Sequence, residues 1–105
     1  MAQKYSVLMT TTDSQQEANR LSELLVRKKL APCVQSLPIT STYTWKGELV
    51  KDSEWLLLIK TRSNKYKEIE ALLLTHHSYD IPEIVLLPVD AGYSGYLSWI
   101  DENMA

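Results

Sequence analysis

The sequence predicts one α+β domain over residues 1–105, with the element order β-α-β-β-α-β followed by a short helix. Three observations lead to this prediction. Strand-favouring residues lie on both sides of a central turn, two other stretches carry apolar residues at helical spacing, and no repeat or low-complexity linker divides the chain. A chain of 105 residues is also long enough for one buried core and too short to split into two.

The central element is a long β-hairpin from Val34 to Thr61. Its first arm alternates aromatic and polar side chains up to Trp45, which is the period-two pattern of a strand. Gly47 supplies the positive φ that a two-residue turn requires. The apolar run from Glu54 to Thr61 predicts a central strand buried on both faces. Pro38 is expected to interrupt the first arm, because proline has no N–H to give to the ladder.

The length of this hairpin predicts self-association. A first arm from Val34 to Trp45 would span roughly 40 Å at about 3.3 Å per residue, whereas a compact domain of this size is only about 35 Å across. The far part of the hairpin therefore has no partner in its own chain. Because an overhanging aromatic hairpin aggregates unless another chain covers it, we expect a homo-oligomer built on strand edges.

The flanking elements follow from periodicity and capping signals. Ser14 and Glu17 have the spacing of a capping box at the start of a helix, and Pro32 ends that helix. The predicted elements outside the hairpin are a strand Tyr5–Thr12, a helix capped by Asp13 or Ser14 that ends by Ala31, a helix from Ser63 or Asn64 to about His76, a strand Ile84–Val89 and a helix beginning at Tyr96.

This element order is the split β-α-β order of ferredoxin-like folds. Right-handed crossovers place both long helices on one face of a four-stranded sheet. The other face is then left bare and apolar, which again predicts association between chains.

Composition excludes several classes of protein. A net charge of −2 without a basic cluster argues against a nucleic-acid partner, and no run of 18 apolar residues predicts a membrane span. The first residues, Met1 to Lys4, lack the apolar segment of a secretion signal. Cys33 is the single cysteine, so no internal disulfide is expected. These observations predict a cytoplasmic protein.

Several short motifs, in order and at their spacing, resemble the CutA divalent-cation tolerance family. They are Lys29-Leu30-Ala31-Pro32-Cys33-Val34, Ser41-x-Tyr43-x-Trp45-x-Gly47, His76-His77-Ser78-Tyr79, Pro82-Glu83 and Tyr96-Leu97-x-Trp99. The resemblance implies a ferredoxin-like CutA domain that assembles through long hairpins into a homotrimer similar to the trimeric PII signal proteins. It also implies a role in the response to metal ions.

The resemblance and the chemistry of the residues point to a metal site formed by Met9, His76 and His77, with Asp80 as a further candidate. Some family members have a cysteine in place of Met9, and in those members it is grouped with the two histidines as a copper ligand. The end of the first strand and the end of the second helix should meet at one edge. Imidazole suits copper and zinc, and a thioether suits Cu(I). The alternative is that the histidines only act as cations at a helix C-terminus.

Two features of this chain bear on that metal site. Ser78 stands where the family often has proline, so the loop after the histidines is expected to be less rigid. Adjacent residues on a helix project about 100° apart, so His76 and His77 converge only if the helix has ended. Binding of copper or another divalent metal is therefore one interpretation of the histidine pair, and a charge effect at the helix C-terminus is the other.

The remaining chemistry-bearing residues predict no enzyme. Glu54, Lys60 and Asp90 have no spacing that dictates acid–base geometry, and neither a Ser–His–Asp order nor a glycine-rich phosphate loop is present. Cys33 lies at the opposite edge from the histidines and is expected to be an inert thiol. Four aromatic residues could line a small-molecule pocket at subunit junctions or fill interface cores: Tyr43, Trp45, Tyr96 and Trp99.

The leading hypothesis is a non-enzymatic homotrimer in divalent-cation tolerance that binds copper through the histidine pair. The alternative is a PII-like signalling protein that binds a small-molecule ligand in clefts between subunits. The third hypothesis is a trimeric scaffold that binds no ligand. Neither nucleic acid nor membrane is expected as a partner.

Overall fold

The computed structural model describes residues 3–105 and has the predicted order of elements. Met1 and Ala2, on which part of the prediction of no secretion signal rests, lie outside the described residues. The elements are β1 (Tyr5–Thr12), α1 (Gln15–Arg27), β2 (Cys33–Trp45), β3 (Glu48–Arg62), a 3-10 turn (Ser63–Lys65), α2 (Tyr66–His76), β4 (Val85–Pro88) and α3 (Ser94–Glu102). Across residues 3–105, none of the helices combines the length and the hydropathy needed to cross a membrane.

The four strands form one antiparallel sheet with the order β2-β3-β1-β4, so the α+β prediction is confirmed. Strand residues alternate between two faces. The helix face carries Leu8, Leu57 and Ile59, and α1 and α2 pack against it with Leu21 and Ile69 among others. All of these side chains are fully or almost fully buried. The core of the chain therefore lies between the helices and one face of the sheet.

The hairpin extends well beyond its neighbour β1. β2 and β3 pair continuously from Cys33–Lys60 to Trp45–Glu48, whereas β1 pairs with β3 only as far as Thr12–Trp55. Residues 39–54, the distal ribbon, therefore form a two-stranded extension outside the sheet. The chain measures 44 × 26 × 22 Å as a result, and the overhang predicted from the arm length is confirmed.

The prediction for the turn of the hairpin is confirmed, whereas the prediction for its proline is not. Lys46 and Gly47 both have positive φ, at 51° and 80°, which is the geometry of a type I′ turn and matches the right-handed twist of the strands. The prediction that Pro38 interrupts the first arm was wrong, because Pro38 pairs with Trp55 within an unbroken strand. β2 is an edge strand with one neighbour, and an edge tolerates proline when its nitrogen faces the open side.

The N-terminus of α1 is capped as predicted by Ser14, whose hydroxyl accepts a hydrogen bond from the Glu17 N–H at 3.1 Å. The reciprocal half of the capping box does not form. Instead, the Glu17 carboxylate accepts a hydrogen bond from Arg20 Nε at 2.6 Å, and this hydrogen bond holds the pKa of Glu17 below its ordinary value.

The C-terminus of α1 lies at Arg27, before the limit of Ala31 that Pro32 sets. Lys29 takes a left-handed conformation with φ of 58°. The N–H of Lys29 donates to the Val26 carbonyl, and the N–H of Leu30 donates to the Leu25 carbonyl. This is the hydrogen-bond pattern of a Schellman motif. The helix is therefore stopped by a local reversal of the chain before Pro32 is reached.

The second face of the sheet, opposite the helix face, is not bare along its whole length. Tyr5 Oη donates to Asp101 of α3 at 2.5 Å, and Lys60 Nζ lies 5.8 Å from the centre of the Tyr96 ring. α3 therefore covers one end of this face, which corrects the predicted bare face. Away from α3, Leu37 of β2 and Leu87 of β4 remain 40% and 48% exposed. In β3 itself, Leu57 and Ile59 on the helix face are fully buried, whereas Leu56 and Leu58 on the second face are only half-buried.

Asp101 links α3 to the sheet through a small polar cluster. Its carboxylate accepts the Tyr5 hydroxyl and pairs with Lys4 at 3.3 Å and Arg62 at 3.6 Å. The hydrogen bond from Tyr5 is the main cause that holds the pKa of Asp101 below its ordinary value of 3.8, and Lys4 and Arg62 act in the same direction. The ionised carboxylate is therefore the form that the fold stabilises.

We expect acid to weaken this cluster. A carboxyl group with a lowered pKa in the folded state stabilises the fold above its ordinary pKa, and the contribution is lost as the pH falls through the lower folded value. The wild-type chain should have a higher free energy of unfolding than Asp101→Asn. This difference should be constant near neutral pH and shrink below about pH 4. Urea titrations across this range measure it, with the exposed Glu102→Gln as the control. An advantage that persists in strong acid would contradict the role of Asp101.

Candidate functional site

The two histidines lie where α2 ends. His76 is the last residue of the helix and is exposed, and His77 follows it with extended backbone angles, φ −74° and ψ 143°. The helix has therefore ended at His76, which is the condition that the sequence analysis set for the two side chains to converge. The carbonyl of His76 accepts a hydrogen bond from Arg20 Nη2 at 2.5 Å, so α1 helps to fix the position of this helix end.

The ring of His77 is held against the end of β1. Its Nε2 lies 2.8 Å from the Thr11 carbonyl oxygen and 3.4 Å from Thr10 Oγ1, and its Nδ1 accepts the Tyr79 N–H at 3.1 Å. Because a carbonyl oxygen can only accept, Nε2 carries the proton and Nδ1 is the acceptor. The predicted meeting of the end of β1 with the end of α2 is confirmed for His77, and both ring nitrogens of His77 are used within the chain.

Met9 is not brought to His77. Met9 pairs with Leu58 and Val85 on the second face, whereas the His77 ring contacts the hydroxyl of Thr10 on the helix face. The sheet therefore separates the thioether from the imidazole. Within residues 3–105, no three or more His, Cys, Asp and Glu side chains are grouped so that they could hold a metal ion. These residues do not form a ready copper site in one chain, and the site remains a prediction.

A cleft of about 860 Å³ lies beside His77, between the distal ribbon and the segment 78–83. Thr11 and Asp13, at the end of β1, form part of its lining. Tyr43 and Trp45 line the ribbon side and are 38% and 44% exposed. The volume falls within the range typical of small-molecule sites.

Glu54 and Tyr79 form the most buried polar contact of this cleft. Glu54 is only 8% exposed, and its Oε2 accepts the Tyr79 hydroxyl at 2.8 Å. Burial, and then the hydrogen bond to Glu54, raise the pKa of Tyr79 well above its ordinary value of 10.0. The hydroxyl therefore stays protonated and remains a donor.

A second phenol–carboxylate pair lies on the ribbon. The Tyr43 hydroxyl donates to Asp52 on the opposite strand, and this hydrogen bond raises the pKa of Tyr43. The two tyrosines of the cleft thus present protonated hydroxyls, and each hydroxyl is directed at a carboxylate.

The four aromatic residues predicted to share a pocket are divided between two places in one chain. Tyr43 and Trp45 line the cleft, whereas Tyr96 and Trp99 stack on each other in α3 with ring centres 5.7 Å apart. Cys33 lies beside Tyr96, and burial and the nearby thiol raise the pKa of Tyr96. Cys33 is half-buried, pairs with Lys60 at the far end of the sheet from His77, and takes no part in the cleft.

Sequence reasoning identified Glu54 as a strand-end carboxylate but missed its partner. Tyr79 lies 25 positions further along the chain, in a segment without regular structure. The available signal was the charge of Glu54 at the first position of an apolar strand run, since buried charges require a partner.

Comparisons with known proteins all find similarity to one family. The model of the family described as CutA1 divalent ion tolerance protein matches residues 6–103. The "Divalent-cation tolerance protein CutA" of Thermus thermophilus is 40% identical over 98 residues, which is 92% of this chain and 95% of that protein. "Protein CutA, chloroplastic" of Arabidopsis thaliana is 37% identical over 98 residues, covering 92% of this chain and 54% of its own length.

A solved structure shows the same similarity in three dimensions. The periplasmic divalent cation tolerance protein CutA of Archaeoglobus fulgidus superposes with a TM-score of 0.92 at 36% identity, covering 94% of this chain and 97% of that one. The fold of this chain and the fold of that protein therefore agree over nearly their whole lengths.

Loss of the Tyr79 hydroxyl should destabilise the chain. In Tyr79→Phe the nearly buried Glu54 carboxylate loses the one donor that reaches it among the described residues. An unsatisfied buried acceptor costs about 1–3 kcal/mol, so we expect the free energy of unfolding to fall by that amount in denaturant titrations. Tyr93→Phe removes the same hydroxyl from a side chain that is 79% exposed and serves as the control. Equal stability of the two variants would contradict the assigned contact.

Proposed function

This chain belongs to the CutA1 divalent ion tolerance family, and we propose that it acts in the response to divalent metal ions as a non-enzymatic homotrimer. The family match over residues 6–103 is the observation that carries the metal-response role. The relatives are named for tolerance of divalent cations rather than for a reaction.

The trimer is supported by the surface that one chain leaves uncovered. The distal ribbon has no second layer, and Leu37, Val85 and Leu87 are 40%, 43% and 48% exposed on the second face. β2 and β4 are open sheet edges. Exposed apolar faces and open edges are the features that association between chains removes. The element order and strand order also support a ferredoxin-like description of residues 1–105 as one domain.

Sedimentation equilibrium at micromolar concentration tests the assembly. The expected mass is three times the 12.0 kDa of one chain. Leu37→Lys places a charge on the exposed second face and should shift the protein towards single chains, because burying an unpaired ammonium is costly. Leu74→Lys makes the same change on α2, where Leu74 is 58% exposed, and should leave the mass unchanged. A folded wild-type species with the mass of one chain would overturn the proposal.

Copper binding, where it occurs, is proposed to be weak and to depend on His76. The His76 side chain is exposed and has the softness that copper prefers. His77 can join only if its ring leaves Thr11 and Tyr79, which means breaking two hydrogen bonds. Met9 makes no contribution in this arrangement, because its side chain lies on the other face of the sheet.

Titration with Cu(II) separates the contributions of the three residues. We expect His76→Ala to weaken binding by about tenfold or more, which corresponds to loss of roughly 1.4 kcal/mol of binding free energy. Met9→Leu should leave the affinity unchanged, since leucine has similar volume and no sulfur. Unchanged affinity in both His76→Ala and His77→Ala would exclude the histidine pair.

A cytoplasmic location is also proposed. A single cysteine, Cys33, forms no disulfide within the chain, which suits a reducing compartment. The names of the relatives differ on this point, since the Archaeoglobus protein is called periplasmic and the Arabidopsis protein chloroplastic.

A further inference from the structure

The carbonyl of Thr11 lies on an edge of β1 that β4 does not reach. The Val89 N–H donates to the Tyr5 carbonyl at 2.9 Å, and alternate residues of an antiparallel strand direct their backbone groups to the same side. The Thr11 carbonyl therefore faces the β4 side, but the pairing of β4 with β1 ends at Met9–Val85. Because Thr11 is only 6% exposed, its carbonyl needs a donor that the sheet does not supply.

His77 supplies that donor. Its Nε2 lies 2.8 Å from the Thr11 oxygen and therefore carries the ring proton, because a carbonyl can only accept. This contact alone does not separate a structural histidine from a metal ligand, since histidines that bind a metal commonly donate their other N–H to a carbonyl. The partner of Nδ1 decides between the two roles.

Nδ1 of His77 is occupied by the chain itself. It accepts the Tyr79 N–H at 3.1 Å, and the two ring centres lie 4.9 Å apart. A metal ion would need the same lone pair of the neutral imidazole. Met9 lies on the opposite face of the sheet, and residues 3–105 contain no group of three or more His, Cys, Asp and Glu side chains that could hold a metal ion. The surroundings of His77 therefore do not fit a metal ion.

The contacts of the ring extend to Glu54 through Tyr79. Tyr79 is held at its backbone by His77 and at its hydroxyl by Glu54, whose Oε2 accepts it at 2.8 Å. Glu54 is only 8% exposed, so the hydroxyl has to reach one defined position to satisfy this carboxylate. A displaced imidazole would release the Tyr79 amide and, with it, the position of the hydroxyl.

We infer that His77 is a positioning residue and not a metal ligand: its imidazole takes the place of a missing strand beside Thr11 and holds Tyr79 where the hydroxyl reaches Glu54. This role goes beyond the proposed function, because it requires no metal. Weak copper binding through His76 is compatible with it. The copper result and the role of His77 can therefore each fail without the other.

Two amide substitutions separate the two hydrogen bonds of the ring. His77→Asn places a carbonyl oxygen near the position of Nδ1, whereas His77→Gln places its NH2 group near the position of Nε2. In hydrogen exchange followed by NMR, the Tyr79 amide should exchange about tenfold faster or more in His77→Gln than in the wild-type chain, and His77→Asn should stay within about threefold of wild type. Equal exchange in His77→Gln and wild type would overturn the role of the ring.

A double-mutant cycle tests whether the ring acts through Tyr79. The loss in free energy of unfolding caused by His77→Gln should fall to about half or less in a Tyr79→Phe background, because the contact with Glu54 is then already gone. A Tyr93→Phe background should leave the loss unchanged, since Tyr93 is 79% exposed. If His77→Gln does not fold, His77→Asn takes its place in both cycles. Additive losses with Tyr79→Phe would contradict the positioning role.

Titration with Cu(II) distinguishes this role from the proposed copper site. His77→Gln and His77→Asn should bind Cu(II) with wild-type affinity, and a loss of about tenfold or more in both variants would make His77 a ligand and overturn the inference. A wild-type chain that binds no Cu(II) would remove the copper part of the proposed function. The exchange rates and the cycle would then decide the role of His77 on their own.

Discussion

The unequal lengths of neighbouring strands constrain the rest of the structure. β3 has 15 residues and β2 has 13, whereas β1 has only eight. β1 therefore partners β3 no further than Trp55, and the ladder continues as a ribbon of two strands. Glu54 is the first residue beyond the end of β1. The ribbon, the open faces and the cleft all follow from this mismatch.

The segment after α2 occupies the space beyond the end of β1. The ring of His77 fixes this segment to the Thr11 carbonyl and, through Nδ1, to the amide of Tyr79. Tyr79 then reaches across to Glu54. His77 consequently acts in this chain as a positioning residue that joins the helix layer to one wall of the cleft, which is a structural use of a side chain that the sequence analysis considered as a metal ligand.

Local patterns in the sequence predicted the elements that depend on local physics. The alternation of β1 gave Tyr5–Thr12, and the capping residue Ser14 and the Lys46-Gly47 turn were identified from short-range signals. The signal that ends α1 at Arg27 was missed, because Lys29 takes a left-handed conformation that sequences usually mark with glycine. Pro38 was misread because whether a strand is an edge strand depends on the sheet, which a local pattern does not contain.

The position of Met9 relative to the histidines could not be predicted from the sequence, because it depends on which face of a strand meets the helices. Alternation separates Met9 from Thr10, but it does not say which of the two faces α1 and α2 will cover. The packing of the helices decides this, and it places Thr10 with His77 and Met9 on the other side. The contact between Glu54 and Tyr79 depends in the same way on the path of an irregular segment.

The tight turn at Lys46-Gly47 has a consequence for the order of events in folding. The residues that pair next to it, Trp45 and Glu48, are close neighbours along the chain, so the ladder can close outward from the tip with little loss of chain entropy. Hairpins of this kind form in about 1–10 μs. The pairing of β1 with β3 must instead join distant segments and is therefore slower. The distal ribbon can therefore pair before the core has formed. The newly made chain then exposes, early in folding, the aromatic surface that favours association between chains.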